Sequence, residues 1–234
     1  FLADVIYYQP TLPMLKTMLL QLATGLKHIH DMGVFHKDIK HENIMVQAHP
    51  DPQIGWTQPT LKYIDFGLSC VAGEPACQTL SGTPVYLDNI ITKRVYNEIT
   101  GPRSNKELMA ADIYALGVTM YLSSVYYDPL FDVVSVQHPY IEMEMVETFD
   151  NMEELRLYVF STIATKLATD ENYPLKFNYS DVATVEYLES IGKPLKGKAL
   201  ENKVKMDNSI ANIISGLVQT NIDARIAHFL QMLS

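Results

Sequence analysis

The chain has 234 residues, 47% of them hydrophobic, and a formal net charge of −9. That is enough length and apolar content for one sizeable core. So acidic a balance excludes a general grip on nucleic-acid phosphates, which needs a basic surface. The longest uncharged apolar run, Ile113–Tyr127, has 15 residues, short of the roughly 20 that a membrane-crossing helix needs. Two cysteines, Cys70 and Cys77, are too few for a disulfide framework and lack metal-finger spacing. They are expected to be free thiols in an intracellular, cytoplasmic, reducing setting. The first residue is Phe1 rather than Met, so the chain reads as a fragment.

Residues 12–32 carry Leu15, Leu19, Leu22, Leu26 and Ile29 at three- to four-residue spacing, the mark of a helix with one apolar face. Thr11 is its expected N-cap, Pro13 is tolerated in the first turn, and Gly33 closes the end. Two short apolar segments follow, Gly33–Phe35 and Ile44–Gln47, with the charged stretch "HKDIKHEN" between them. A proline-rich run, "AHPDPQIGWTQPT", leads to another β-like segment, Leu61–Ile64, and the pattern predicts a hairpin with an extended loop. Residues 107–127 are apolar on nearly all faces and predict a central helix, with Asp112 inside it in need of partners. Asp150 and Glu153 open a predicted helix over 151–168, and a shorter one is expected at 181–190. The five lysines of "GKPLKGKALENKVK" read as a solvated segment. A last amphipathic pair spans about 208–233, broken near Asn221–Asp223, and no internal repeat is visible.

In "HKDIKHEN" a histidine, an aspartate, a lysine and an asparagine stand at positions 36, 38, 40 and 43. Asp65–Phe66–Gly67 follows 22 residues after Asn43, at the end of the next predicted strand. The two together resemble the H-R-D-x-K-x-x-N and D-F-G motifs of the eukaryotic-type protein kinase superfamily. "SGTPVY" at 81–86 is similar to that family's G-T-x-x-Y segment, and "ADIYALGV" at 111–118 to the D-x-W-S-x-G-V start of its central helix. The resemblance covers most of residues 1–234, with a divergent segment at about 130–200. It implies a mainly α fold with a small β-hairpin region, the large (C-terminal) lobe of a kinase.

The resemblance also implies chemistry: transfer of the γ-phosphoryl group of ATP to a protein hydroxyl, with Mg2+ held by oxygen ligands. Asp65 and Asn43 would hold metal and nucleotide, Asp38 would orient the substrate hydroxyl and receive its proton, and Lys40 would neutralise the transferring group. Lys40 in that position resembles the serine/threonine branch. Met45 would pack under the adenine, His36 against Phe66, and Thr83 would bond to Asp38 and Lys40. Asp112 would anchor the catalytic loop from below. Partners are then a nucleotide and a protein substrate, with the oligomeric state left open.

Three departures stand out. Lys37 replaces the motif's arginine, so a phosphate on Ser69, Thr79 or Ser81 would meet a point charge rather than a bidentate fork. The A-P-E motif is missing: "YLDNII" stands in its place, Ile90 falls where the glutamate partner of Arg225 is expected, and only Asp88 offers a substitute. No G-x-G pair and no V-A-I-K-like strand occur, so the smaller lobe is expected to be absent from this chain, which alone would be inactive. A pseudokinase-like binding scaffold and a kinase-like small-molecule phosphotransferase are the alternative readings.

Overall fold

A computed structural model describes Leu2 and residues 12–48, 59–83, 86–95, 99–125 and 212–234. The first helix, α1, runs Leu12–Asp31. Its leucine spacing does what the period requires: Leu15, Leu19, Leu22 and Leu26 are all buried. Gly33, at φ 73°, turns the chain out of the helix and donates its N–H to His30 O at 2.9 Å. The expected cap Thr11 lies outside the described residues.

Strand β1, Val34–Phe35, leaves α1; β2 is Ile44–Gln47, β3 is Thr60–Tyr63 and β4 is Cys70–Val71. The strands form two antiparallel pairs. β2 pairs with β3 from Ile44↔Tyr63 to Gln47↔Thr60, and β1 with β4 through Val34↔Val71 and Phe35↔Cys70. The first pair is the expected hairpin. It lies on α1: Tyr63 Oη donates to Leu22 O at 2.9 Å, and Gln21 bonds to both Pro59 O and Leu61 N.

A short helix α2, Asn89–Val95, precedes the central helix α3, Asn105–Val125. A reciprocal cap starts α3. Ser104 N donates to Glu107 Oε2 at 2.7 Å and Glu107 N to Ser104 Oγ at 3.2 Å. Ile113, Leu116 and Met120 of α3 join the α1 leucines in the main core, with Leu217 and Phe229 from the end of the chain. That end holds a helical stretch at 212–218 and α4, Ile222–Gln231, whose N-cap Asn221 accepts from Ala224 N. Gly117 lets the stretch approach α3 closely: a Cβ there would stand 2.6 Å from Val218 Cγ1. The four helices and two small sheets make the described residues mainly α. The helices expected at 151–168 and 181–190 and the lysine-rich run fall outside them.

The cysteines require a correction. Cys70 and Cys77 are joined in a disulfide, not free. Seven residues apart, they are brought within Cα–Cα 5.2 Å by a turn at Pro75–Gln78 that folds back on β4. Bonded to each other, the two cysteines give no sign of a reducing compartment. Among the described residues, no helix is long and apolar enough to cross a membrane.

Candidate active site

The loop between β1 and β2 is held from beneath by one carboxylate. Asp112, almost wholly buried in α3, accepts His36 N and Lys37 N at 2.8 Å each and His30 Nε2 at 2.9 Å. Three donors replace the water that burial removes, which is what a buried carboxylate requires. They also hold Lys37 at φ 68°, a left-handed conformation that a side chain with a Cβ seldom adopts. The strain is local, and Asp112 supplies the bonds that offset it.

That bend turns the next residue toward a polar cluster. Asp38, 9% exposed, takes a hydrogen bond from Thr83 Oγ1 to Oδ1 at 2.7 Å and an ion pair from Lys40 Nζ to Oδ2 at 3.0 Å. Lys40 Nζ also donates to Thr83 Oγ1 at 2.8 Å, closing a triangle of three side chains. Asn43 Nδ2 donates to both the backbone O (2.8 Å) and Oδ2 (2.9 Å) of Asp38. With its NH2 group committed twice, Asn43 keeps its Oδ1 free to ligate. Gly82, at φ 131°, brings Thr83 in: a Cβ there would lie 3.0 Å from Lys37 O and 2.7 Å from Leu87 Cδ2.

Asp65 arrives on the other side, because Ile64 N donates to Asn43 O at 2.9 Å and aligns the end of β3 with the turn at His41–Asn43. Asp65 is exposed and left-handed at φ 59°, and its Oδ1 accepts Gly67 N at 3.2 Å. Phe66 rests on the fully buried His36, ring centroids 4.8 Å apart, and His36 Nε2 bonds Ile64 O at 3.1 Å. Met45 lies on β2 and is 46% exposed. The structure thus gathers Asp38, Lys40, Asn43 and Thr83 in one bonded cluster, and backs it with His36, Phe66 and Asp112. Asp65 borders it.

His41 and His30 play parts that the sequence reading did not assign. His41 is fully buried between Tyr86 Oη at 3.1 Å and Ser123 Oγ at 3.0 Å. Ser123 gives its only proton to Thr119 O, so it must accept from His41 Nε2–H, and Tyr86 must donate to Nδ1. This neutral chain of hydrogen bonds ties the loop to α3. Burial depresses the His41 imidazole to about 3, against a smaller opposing effect of the Thr119 carbonyl. No local pattern marked His41; its partners lie 45 and 82 residues away.

Lys37 reaches away from the cluster. Its Nζ donates to Ala76 O at 2.8 Å, and burial, with Arg103 nearby, lowers its pKa against the pull of Asp112. Farther off, Arg225 Nη1 meets Asp88 Oδ2 at 2.9 Å, both residues at 0% exposure. Arg225 also bonds Ala110 O and Gln219 O, and Asp88 Oδ1 caps α2 at Ile91 N. Asp88 thus makes the substitution the sequence offered for the carboxylate missing at Ile90.

Residues 6–233 match the protein kinase domain family. The chain belongs to it. Among curated relatives it is similar to a DNA damage response protein kinase, DUN1, of Saccharomyces cerevisiae, 28% identical over 178 residues covering 68% of this chain and 32% of that protein. It is also similar to the probable serine/threonine-protein kinase fhkB of Dictyostelium discoideum, 27% identical over 162 residues, 68% of this chain and 13% of that one. A third, serine/threonine-protein kinase DCLK1 of Rattus norvegicus, is 34% identical over 106 residues, 45% and 21% of the two chains. The chain thus spans about a third or less of these relatives. Within this kinase domain, the His36–Asn43 loop meets the Ile64–Phe66 stretch through the Ile64 N–Asn43 O bond and the His36–Phe66 ring contact.

Proposed function

We propose that the protein is a serine/threonine protein kinase, that residues 1–234 supply the large lobe of its catalytic domain, and that Asp38 is the residue that receives the substrate hydroxyl. The observation that carries this reading is the triangle of Asp38, Lys40 and Thr83, with Asn43 locked beside it. A carboxylate held on both oxygens cannot swing away, so its contribution is positioning more than basicity. Lys40 lies where negative charge would gather on a phosphoryl group passing to a hydroxyl at Asp38, and its ammonium offsets that charge. Lysine at this position, together with relatives named as serine/threonine kinases, favours an aliphatic hydroxyl as acceptor.

The residues present fit magnesium and ATP. Asn43 Oδ1 and the exposed Asp65 carboxylate are hard oxygen donors at the edge of the cluster, and two such groups suit Mg2+, which takes its other ligands from phosphates and water. Asn43 and Asp65 would share the ion with the phosphates of the nucleotide. When bound, the ion would neutralise phosphate charge; Asp65 and Asn43 would orient it, and Met45 on β2 would meet the base.

The test uses the full-length protein with ATP and a mixture of serine-, threonine- and tyrosine-containing peptides. Asp38→Asn is expected to lower kcat by about 10²–10⁴-fold while magnesium-dependent nucleotide binding persists. Asp65→Asn is expected to remove that binding. Unchanged turnover in both variants would sink the enzymatic reading and favour a binding scaffold.

A further inference from the structure

The Cys70–Cys77 bridge lies within the segment that runs from Gly67 to Thr83, between the two halves of the candidate site. Cys70 belongs to β4 and pairs with Phe35, the residue directly before His36. Cys77 lies in the turn whose carbonyls face the protein body: Lys37 Nζ donates to Ala76 O at 2.8 Å, and Arg103 reaches Cys77 O and Thr79 O at 3.5 and 3.4 Å. The last two are long and weak. As part of the same polar grip, Gln78 is bonded to Arg103 in both directions, Arg103 N to Gln78 Oε1 at 2.7 Å and Gln78 Nε2 to Arg103 O at 3.4 Å, and Thr83 at the far end is bonded to Asp38 and Lys40. The disulfide is therefore the one covalent member of an attachment otherwise made of a few hydrogen bonds. It holds the distal half of the segment to β4, which pairs with β1, the strand that leads into the His36–Asn43 loop, where a point-charge lysine stands in place of the family's arginine.

The surroundings allow that attachment to open. Both sulfurs sit in a small cluster with Phe35 and Leu108, apart from the main core. Residues 73–76 between them are exposed, and a side chain at Gly73 would meet nothing within 4 Å. A local opening of this loop exposes the bridge while the leucine core of α1 and α3 stays packed.

We propose that Cys70 and Cys77 are a thiol–disulfide exchange site, taking a dithiol reductant, whose oxidation state sets how firmly residues 70–83 dock on the catalytic loop. A thiolate of the reductant attacks one sulfur and expels the other cysteine as a thiolate, leaving a mixed disulfide; the reductant's second thiolate then attacks the reductant's own sulfur in that bond and releases the remaining cysteine. Two electrons and two protons pass to the pair, which ends as two thiols, and the reductant ends as its own disulfide. A disulfide oxidant runs the exchange in reverse. In the bridged state Gly82 and Thr83 are held against Lys37 and Asp38; in the dithiol state the polar grip alone remains. Control of turnover through this docking rests on the kinase reading above.

The experiment treats the folded full-length protein with dithiothreitol or its oxidised form. It follows alkylation of Cys70 and Cys77 by mass spectrometry, hydrogen exchange by peptide, and phosphotransfer from ATP to casein. Opening the bridge is expected to speed exchange across 70–83 by about tenfold or more, with the α3 peptides unchanged. Phosphotransfer should fall and return on re-oxidation, and Cys70→Ser/Cys77→Ser should stay at the reduced level in both reagents. The proposal is overturned if no bridge forms, if it opens only with loss of α3 protection, or if exchange at 70–83 ignores it. Changed exchange with unchanged phosphotransfer overturns the control of turnover. Protein that transfers no phosphate in either state refutes the kinase reading, and the exchange measurement still decides the proposal.

Discussion

At the scale of single residues, buried histidine sets a pH signature. His41 is held neutral by its position between Tyr86 and Ser123, with its imidazole depressed to about 3. An unfolded chain protonates the same ring near pH 6.5. Between those values the folded protein binds fewer protons than the unfolded one. The stability His41 contributes is therefore fully present above pH 6.5 and is lost as pH falls toward 3, at up to about 1.4 kcal/mol per pH unit. His41→Gln keeps an acceptor and a donor but does not titrate. Urea midpoints measured from pH 7 to pH 4 are expected to fall less steeply in that variant, even if it is less stable at pH 7. An unaltered slope would mean that the ring is not neutral and enclosed as described.

At the scale of elements, the loop between β1 and β2 and the segment after β4 meet closely at Gly82 and Lys37 O. Gly82 makes this possible, since its φ of 131° suits glycine and Lys37 O lies where a Cβ would go. Gly82→Ala is expected to cost about 1–3 kcal/mol of stability, from strain and the displaced Leu87. It should also weaken the Thr83–Asp38 hydrogen bond, so kcat should fall more than KM rises. Thermal unfolding and steady-state kinetics on the full-length protein check both halves; a variant with unimpaired kcat would show that Thr83 keeps its place without Gly82. On the same loop, Asp112 holds the left-handed Lys37 by accepting its N–H. The covalent bridge adds a constraint of its own: closing a loop of about eight residues removes roughly 2–3 kcal/mol of unfolded-chain entropy in the chain-entropy account.

At the scale of the whole molecule, Arg225 near the end of the chain and Asp88 ahead of α2 join parts 137 residues apart. The guanidinium also lies 5.2 Å from the centroid of the Tyr114 ring and donates to Ala110 O, so it touches α3 as well. Both charges are out of water, and removing one strands the other. Asp88→Asn is expected to destabilise the protein by about 3–5 kcal/mol. Combining it with Arg225→Met should cost less than the sum of the two single changes, as for partners in contact. Denaturant unfolding of the four proteins checks this; additive losses would mean that the pair is not coupled.

What the sequence by itself determined is what neighbours along the chain decide. The leucine period placed α1, the alternation of apolar runs placed the β2–β3 hairpin, and motif spacing brought out Asp38, Asn43 and Asp65 before any contact was known. The Ser104–Glu107 cap was equally local, and reading it would have started α3 at Asn105 rather than at 107. Tertiary structure decided the rest. Aligned by motif, Ile90 fell opposite Arg225 and Asp88 was the substitute the sequence offered; that the cap of α2 turns Asp88 inward and brings it to the guanidinium is what the folded chain shows. Cys70 and Cys77 looked like spare thiols because composition counts cysteines without measuring the turn that brings them together. His41 carried no signal because its worth lies in two hydroxyls, Tyr86 and Ser123, that meet it only when α3 packs beneath the loop. Periodicity reports which face of an element is apolar; it carries no record of which polar atoms will face each other once those faces are buried.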